Sequence, residues 1–339
     1  MFAFDPVALP LALTMGEPAG IGGEIALKAW LDRHQDLPSF YVIDDPERLA
    51  SLARRLAWPV SVRTIDEPEQ AVATVDEALP VLPIGMPVRA GPGHPDPGDA
   101  PAILGAIERA VRDVCSGRAA ALVTNPIHKD SLYRAGFQHP GHTEYLAALS
   151  GTGETPIMML VCPGLRVVPV TIHLPLRQAV ESLSTPAIVE AGRITAKALC
   201  RDFGLAAPIL AVAGLNPHAG EAGSLGREEM EIIEPAIAEL QRAGIDARGP
   251  LPPDTMFHAE ARRSYDAALC MYHDQALIPI KTINFHGGVN VTLGLPFVRT
   301  SPDHGTAFAI AGQGTARPDS LIAALRLAAE MAATRAAGG

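Results

Sequence analysis

Three histidines stand where apolar, strand-like runs come to an end. The runs RVVPVTIH, PILAVAGLNPH and YDAALCMYH close on His173, His218 and His273. In an open α/β sheet, ligands bind beyond the carboxyl ends of the strands, so three imidazoles delivered to that edge could converge on one point. Imidazole nitrogen suits zinc, cobalt, iron or nickel, and three protein ligands leave one coordination position open for substrate. The sequence therefore predicts a divalent-metal site built from distant parts of the chain.

A second group of side chains suits an anionic substrate. The segment between residues 273 and 316 contains Lys281, Asn290 and Arg299, which offer an ammonium group, an amide and a guanidinium fork. This combination suits phosphate or carboxylate. In HPGHTEYLAAL, Thr143 is placed as a helix N-cap with His142 beside it, and free N–H groups at a helix start favour an anion.

Two further features leave alternatives open. Asp254 in LPPDTMF and Asp274 beside His273 are candidates either for acid–base chemistry or for hydrogen bonding to the metal ligands. The turn TMGEPAGIGGE (14–24) is rich in glycine, but Ile25 breaks the GxGxxG fingerprint of dinucleotide-binding folds. The glycines are compatible with a tight turn between a strand and a helix, or with the close approach of a ligand to the start of the helix.

Strand-length apolar runs alternate with longer amphipathic patterns, and this alternation predicts parallel sheets covered by helices. Strands are predicted over 11–16, 40–45 and 119–125. Helices are predicted over 23–34, 46–56, 99–117, 185–204 and 227–244, with a last helix from about Pro318. Asp99 is expected near one cap and Thr185 at another, whereas the Pro- and Gly-rich stretch 84–98 predicts a loop.

Composition limits the function classes. The 339 residues are 48% hydrophobic and 19% charged, which indicates a globular protein with room for two domains. The net charge of −10 and the lack of a basic stripe argue against a nucleic-acid partner. No run is long and apolar enough for a membrane span, and the N-terminus lacks the basic segment of a signal peptide. The scattered cysteines without a CxxC pair favour reduced thiols and a cytoplasmic location.

A set of motifs runs in order from about residue 11 to about residue 330 and resembles the 4-hydroxythreonine-4-phosphate dehydrogenases of pyridoxal phosphate (vitamin B6) biosynthesis. The motifs are LALTMGEPAGIG, TNPIHK, GHTEYLA, VTIHLPL, GLNPHAGEAGSLGREE, GPLPPDTMF, YHDQALIPIK and FHGGVNVTLGLPFVRTSPDHGTAFAIAGQG. The segment HGTAFAIAGQGTA (304–316) also resembles the adenosine-binding loop of isocitrate and isopropylmalate dehydrogenases. The second resemblance would explain the missing fingerprint, because those enzymes bind NAD on a different fold.

The resemblance implies an α/β protein with two α/β/α domains and largely parallel sheets, of the isocitrate/isopropylmalate dehydrogenase type. One domain would comprise 1–135 and 294–339 with the NAD loop, and the other 136–293 with the metal ligands and dimer contacts. The active site would lie in the interdomain cleft at the interface of a homodimer.

The same resemblance assigns residues to ligands. A divalent cation (zinc, magnesium or cobalt) would be held by His173, His218 and His273. The substrate would contact His142, Thr143, Lys281, Asn290 and Arg299. NAD or NADP would lie along the loop with His304, Gly305, Gly312 and Gly314.

The reaction implied is NAD-dependent oxidation of 4-phosphohydroxy-L-threonine to a 2-amino-3-oxo acid phosphate, which loses carbon dioxide to give 3-amino-2-oxopropyl phosphate. The cation would lower the pKa of the alcohol, and Asp254, Asp274 or Lys281 would accept its proton. Two alternatives remain open. One is a paralogous dehydrogenase of erythronate or threonate 4-phosphate, or of a cis-dihydrodiol carboxylate. The other is a metal hydrolase or lyase that does not use NAD.

Overall fold

The computed structural model describes residues 9–33, 37–139 and 141–338. The chain forms two compact units, Met1–Pro156 with Leu295–Ala333, and Ile157–Gly294 with Thr334–Gly339. Strands alternate with helices in both units, so the predicted α/β class is confirmed. In this division the residues from Gly141 to Pro156 belong to the first unit.

The strands within the described ranges are β1 (Leu11–Thr14), β2 (Phe40–Asp44), β3 (Val62–Thr64), β4 (Leu79–Pro83), β5 (Leu122–Thr124), β6 (Ile157–Cys162), β7 (Leu165–Pro169), β8 (Ile209–Ala213), β9 (Asp246–Leu251), β10 (Ala267–Cys270), β11 (Val289–Leu293) and β12 (Arg299–Pro302). The helices are α1 (Gly22–Leu31), α2 (Pro46–Arg55), α3 (Gln70–Thr74), α4 (Ala100–Cys115), α5 (Lys129–Arg134), α6 (His142–Ser150), α7 (Leu176–Ser182), α8 (Thr185–Phe203), α9 (Glu234–Arg242), α10 (Pro253–Met256), α11 (His273–Ile283) and α12 (Asp319–Gly338). None of the helices so described is long and apolar enough to cross a membrane.

The sheet of the first unit has the strand order β3-β4-β2-β1-β5-β12. Its neighbouring strands pair in parallel. Helix α4 packs on β1, β2 and β5, and its apolar side chains join the buried cluster that includes Tyr41, Ile43 and Leu122. Parallel strands buried under helices need apolar residues along their whole length, which is why these runs are apolar without alternation.

The sheet of the second unit has the order β11-β6-β7-β10-β8-β9. Strand β6 is antiparallel to β11 and β7, whereas the pairs β7–β10, β10–β8 and β8–β9 are parallel. The expected largely parallel character is therefore confirmed. Strands β7, β10 and β8 are direct neighbours, so the segments with His173, His273 and His218 leave adjacent strands at one edge.

Two predicted helix caps are wrong. The residue before α6 is Gly141, with an extended backbone, and Thr143 already lies inside the helix. Helix α8 begins at Thr185 itself after Ser184, and the Thr185 hydroxyl donates to the carbonyl of Ile232 at 2.8 Å. Asp99 does precede α4, but its carboxylate accepts the N–H groups of the loop at 89 and 90 instead of those of the helix.

Candidate metal, anion and nucleotide sites

The rings of His173 and His273 lie together at the carboxyl edge of the second unit's sheet. Their centroids are 5.9 Å apart, and both residues line a pocket of about 220 Å³. The Nδ1 of His273 is 2.7 Å from a carboxylate oxygen of Asp274, and this contact leaves Nε2 as the ring nitrogen available to a ligand. His173 and His273 thus form a partly exposed pair of imidazoles, and the Asp274 carboxylate fixes the orientation of the His273 ring.

His218 is not brought to this pair in the single chain. Within the ranges the structure describes, no group of three or more His, Cys, Asp or Glu side chains is placed to hold a metal ion. The side chain of His218 is exposed, on the segment that follows β8.

The backbone around His218 is unusual. Positions 218 to 222 all have positive φ, between 45° and 79°, although only Gly220 is a glycine. His173 also has a positive φ, of 53°. A left-handed backbone costs on the order of 1–2 kcal/mol for each non-glycine residue, and such strain tends to collect at functional sites.

The chemistry of His173 and His273 suits a divalent cation, but the two residues supply fewer ligands than the three predicted. Imidazole nitrogens suit zinc and cobalt, and a carboxylate behind a ligating imidazole is the usual arrangement at such centres. The chain on its own presents two of the three predicted ligands together.

The candidate acids and the remaining substrate residues of the second unit have distinct places. Asp274 contacts His273, whereas Asp254 is exposed on α10, which packs against the segment that carries His218. Lys281 lies in the last turn of α11, with Nζ 5.4 Å from the ring centroid of Phe285. Asn290 lies on β11, and its Oδ1 is buried without a hydrogen-bond partner in the described part of the chain. An orphaned amide oxygen of this kind marks a place where a donor from a ligand would be accepted.

The first unit contains a buried guanidinium at the predicted anion site. Arg299 is 4% exposed, and its Nε and Nη2 donate to the Oγ1 of Thr124 at 3.1 and 2.6 Å. Burial lowers the pKa of Arg299 to about 10, so the group is still a cation at neutral pH.

His142, the first residue of α6, lies close enough to Arg299 to feel its charge. Burial, followed by the positive charges of Arg299 and Lys129, holds the pKa of His142 well below its usual range. The imidazole is therefore neutral and acts through hydrogen bonds, and its buried Nε2 has no partner among the described residues. Any favourable charge at this position therefore comes from the start of α6 and not from the His142 ring.

Lys129 is a member of this cluster that the sequence reasoning did not single out. It is an exposed residue at the start of α5, just after β5, and its Nζ lies 3.1 Å from the position that a Cβ on Gly141 would take. The available signal was a lysine at the start of the helix that follows β5, in a chain with few lysines.

The predicted nucleotide loop is anchored to α1. The buried carboxylate of Glu24 accepts the N–H groups of Gly312 and, at 3.1 Å, of Gly314. Lys28, one turn later, donates to the carbonyls of Gly314 and Ala316 at 2.8 and 2.5 Å. Gly312 has a positive φ of 76°, and a Cβ there would lie 2.8 Å from the Cβ of Pro92, so backbone conformation and internal packing favour glycine at this position.

The other two nucleotide candidates are less constrained. A Cβ on Gly305 would meet no atom within 4 Å, and the Nδ1 of His304 lies 3.0 Å from the carbonyl of Gly305. Gly305 is thus the glycine of this loop with space for a ligand beside it.

The glycine-rich turn before α1 is filled by the protein's own backbone. A Cβ on Gly16 would lie 2.6 Å from the carbonyl oxygen of Pro126, and one on Gly22 would lie 2.8 Å from that of Met15. These contacts favour the tight-turn interpretation of TMGEPAGIGGE. The turn also contains a buried acid that sequence reasoning missed: burial raises the pKa of Glu17 to about 7.

Comparison with known proteins gives consistent matches over nearly the whole chain. The family described as pyridoxal phosphate biosynthetic protein PdxA matches residues 36–328. A 4-hydroxythreonine-4-phosphate dehydrogenase from Bradyrhizobium diazoefficiens is 56% identical over 340 residues, covering 97% of this chain and 98% of its own.

Two solved structures are also similar. The crystal structure of a 4-hydroxythreonine-4-phosphate dehydrogenase from Klebsiella pneumoniae has a TM-score of 0.86 and 37% identity, covering 96% of this chain and 100% of its own. A terephthalate 1,2-cis-dihydrodiol dehydrogenase from Burkholderia xenovorans has a TM-score of 0.63 and 27% identity, covering 95% and 98%.

Proposed function

This chain belongs to the PdxA family of pyridoxal phosphate biosynthetic proteins, and on that premise we propose that it is a 4-hydroxythreonine-4-phosphate dehydrogenase. The observation that carries the proposal is the match at 56% identity, nearly end to end, with a relative of that name. The imidazole pair and the buried guanidinium are the features of the described residues that such a reaction needs.

The proposed reaction oxidises the secondary alcohol of 4-phosphohydroxy-L-threonine. One hydride passes to NAD or NADP and one proton to a base, which gives the 2-amino-3-oxo acid phosphate. The carboxylate then leaves as carbon dioxide, the electron pair of the broken C–C bond forms an enolate, and protonation of that enolate on carbon gives 3-amino-2-oxopropyl phosphate. A β-keto acid decarboxylates readily when its ketone oxygen is polarised, so the site that oxidises the alcohol can also serve the decarboxylation.

Residues of the first unit are suited to the substrate's anionic groups. Arg299 offers a guanidinium already stripped of water, and Lys129 offers an exposed ammonium group beside the start of α6. The neutral imidazole of His142 supplies a hydrogen bond without a proton to lose near neutral pH. Phosphate and carboxylate both match this set. We propose that Thr143, Lys281 and Asn290 also contact the substrate.

His173 and His273 would hold the divalent cation (zinc, cobalt or magnesium), with His218 as third ligand. A bound cation supplies Lewis-acid polarisation of the alcohol and ketone oxygens. Asp274 orients the ring of His273 through the contact at 2.7 Å. Asp254, Asp274 and Lys281 are the three candidates to accept the alcohol proton. NAD or NADP would lie along the loop at His304 and Gly305, which Glu24 fixes through Gly312 and Gly314.

We propose that the enzyme works as a homodimer. The third predicted ligand, His218, is exposed and not gathered with the other two in the described residues of one chain. Three large apolar side chains of the second unit, Leu176, Ile278 and Phe285, are 62%, 64% and 67% exposed. Exposed apolar side chains of this size are typical of residues covered by a partner, and a second copy of the chain could supply the histidine that the pair lacks.

Shared ligation can be tested by complementation. A His218→Ala chain and a His273→Ala chain should each be inactive, and mixing them should restore activity if the ligands come from different subunits, because a mixed dimer regains one intact site. No recovery after demonstrated subunit exchange would refute shared ligation.

The central experiment is an NADH-formation assay with 4-phosphohydroxy-L-threonine, with and without a chelator. We expect turnover that the chelator abolishes and added metal restores. Erythronate and threonate 4-phosphate and a cis-dihydrodiol carboxylate serve as competing substrates. The similarity to a terephthalate dihydrodiol dehydrogenase favours the last as the second candidate. Turnover of the dihydrodiol but not of the phosphorylated amino acid would overturn the proposal.

We also propose a cytoplasmic location. All four cysteines are free thiols, two of them buried, as expected of a chain that matures in a reducing compartment. Fractionation of cells that express the protein tests this.

A further inference from the structure

A buried carboxylate holds the segment that carries His218. Glu229 is 1% exposed and lies in a short π-helical turn, Glu229–Ile233, just before α9. Its Oε1 accepts the N–H groups of Leu215 and Asn216 at 2.8 and 2.7 Å, and its Oε2 accepts the side-chain amide of Asn216 at 2.9 Å. The carboxylate thus fixes the two residues at the entry to the left-handed turn.

The turn is shaped around this carboxylate. A Cβ on Gly220 would lie 2.6 Å from the Oε2 of Glu229, so the side chain occupies the inside of the turn. The non-glycine residues of the turn keep positive φ values. A backbone of this kind persists only where its surroundings over-determine it. Glu229 is the charged group that does so here, and its burial is compensated by three hydrogen bonds.

Gln275 ties the same segment to the start of α11. It is 6% exposed; its Nε2 donates to the carbonyl of Gly214 at 2.8 Å, and its Oε1 accepts the N–H of Met271 at 2.6 Å. Gly214 immediately follows β8, and Met271 immediately follows β10. The segments with His218 and His273 are therefore linked through one buried amide.

The third histidine segment joins the same frame. The hydroxyl of Thr171, two residues before His173, donates to the carbonyl of Met271 at 2.8 Å. The side chains of Thr171 and Gln275 thus connect the three segments that carry the histidines and fix their relative positions.

We propose that Glu229 and Gln275 are positioning residues for the divalent cation, which fix the segments of His218 and His273 without touching the metal. The inference rests on the metal site of the proposed function. A purely structural role would need only a stable turn. A metal-positioning role requires, in addition, that small changes in these two side chains weaken metal binding more than they weaken the fold.

The test uses the full-length, chelator-treated protein titrated with Co²⁺ and followed by visible absorption. Glu229→Ala should weaken Co²⁺ binding by about 10-fold, the lower end of the range found when groups that hydrogen-bond metal ligands are removed, because Glu229 acts on the chain just before His218. Glu229→Gln should lose less, because its amide oxygen still accepts the two backbone N–H groups. Gln275→Met, of similar size, should weaken binding and alter the absorption spectrum of the bound Co²⁺.

The matched control is Glu228→Gln. Glu228 bonds the same Asn216 amide at 2.7 Å but is not the acceptor of the two backbone N–H groups. It should leave the Co²⁺ affinity unchanged. Melting of the metal-free proteins is measured in parallel, and Glu229→Gln and Gln275→Met keep the test open if Glu229→Ala does not fold.

The outcomes separate the two proposals. Wild-type affinity and spectrum in folded Glu229 and Gln275 variants would overturn the positioning role, as would an equal loss in the Glu228→Gln control. A wild-type protein that binds no Co²⁺ would instead overturn the metal site of the proposed function.

Discussion

Glu17 gives the sharpest physical prediction, because it is an acid buried in the turn before α1. It is 1% exposed, and one carboxylate oxygen accepts the N–H of Ala19 at 3.2 Å. Burial raises the pKa of Glu17 from 4.5 to about 7; the charge of Asp99 raises it further, whereas the Ala19 N–H and Arg48 lower it. We expect Glu17→Gln to make the protein more stable at alkaline pH.

The sign and size follow from proton linkage. Between pH 4.5 and about 7 the folded chain binds more protons at this site than the unfolded chain, so its stability falls as pH rises and levels off above about 7. The gap between the two pKa values corresponds to about 3 kcal/mol. Glutamine keeps an oxygen that accepts the N–H of Ala19 but cannot ionise. The stability of the variant therefore does not fall in this way as the pH rises.

The assay is urea unfolding of wild type and variant, followed by circular dichroism at about pH 4.5 and about pH 8. The difference in unfolding free energy should grow by about 3 kcal/mol in favour of the variant at the higher pH. The control is Glu77→Gln, at a carboxylate whose side chain is 69% exposed. The difference in unfolding free energy between this variant and wild type should be the same at the two pH values. Parallel pH dependence of Glu17→Gln and wild type would refute the burial argument.

Three further predictions concern ligands. Arg299→Lys keeps the charge but loses the fork that holds Thr124, so substrate KM should rise about 10-fold or more while NAD KM changes little; an effect on NAD alone would reassign the residue. Lys129→Ala should raise substrate KM without lowering the melting temperature, because the side chain is exposed; unchanged KM would remove it from the anion site. Gly305→Val should weaken NADH binding, measured by fluorescence, with the fold intact; normal NADH binding by this variant would move the nucleotide elsewhere. Gly312→Val should lower stability, because position 312 has a φ of 76° and a Cβ there would lie 2.8 Å from the Cβ of Pro92.

Much of the architecture and of the site could be inferred from the sequence because it depends on local pattern. Continuous apolar runs followed by amphipathic stretches specify buried parallel strands and helices, and polar residues behind such runs must lie at the carboxyl edge. His173, His218 and His273 could be placed at one edge in this way, whereas the anion-binding role of Arg299 stays a prediction. These inferences need no knowledge of which strands are neighbours.

Only the tertiary structure decided which of these groups meet. The order β7-β10-β8 brings His173 to His273, while the left-handed turn after β8 leaves His218 apart from them in one chain. The roles of Glu229, Gln275 and Glu17 were likewise invisible, because a carboxylate or amide looks like a surface residue until its burial and partners are known. Burial turns these ordinary polar side chains into fixed hydrogen-bonding groups, and burial depends on long-range packing that no local pattern encodes.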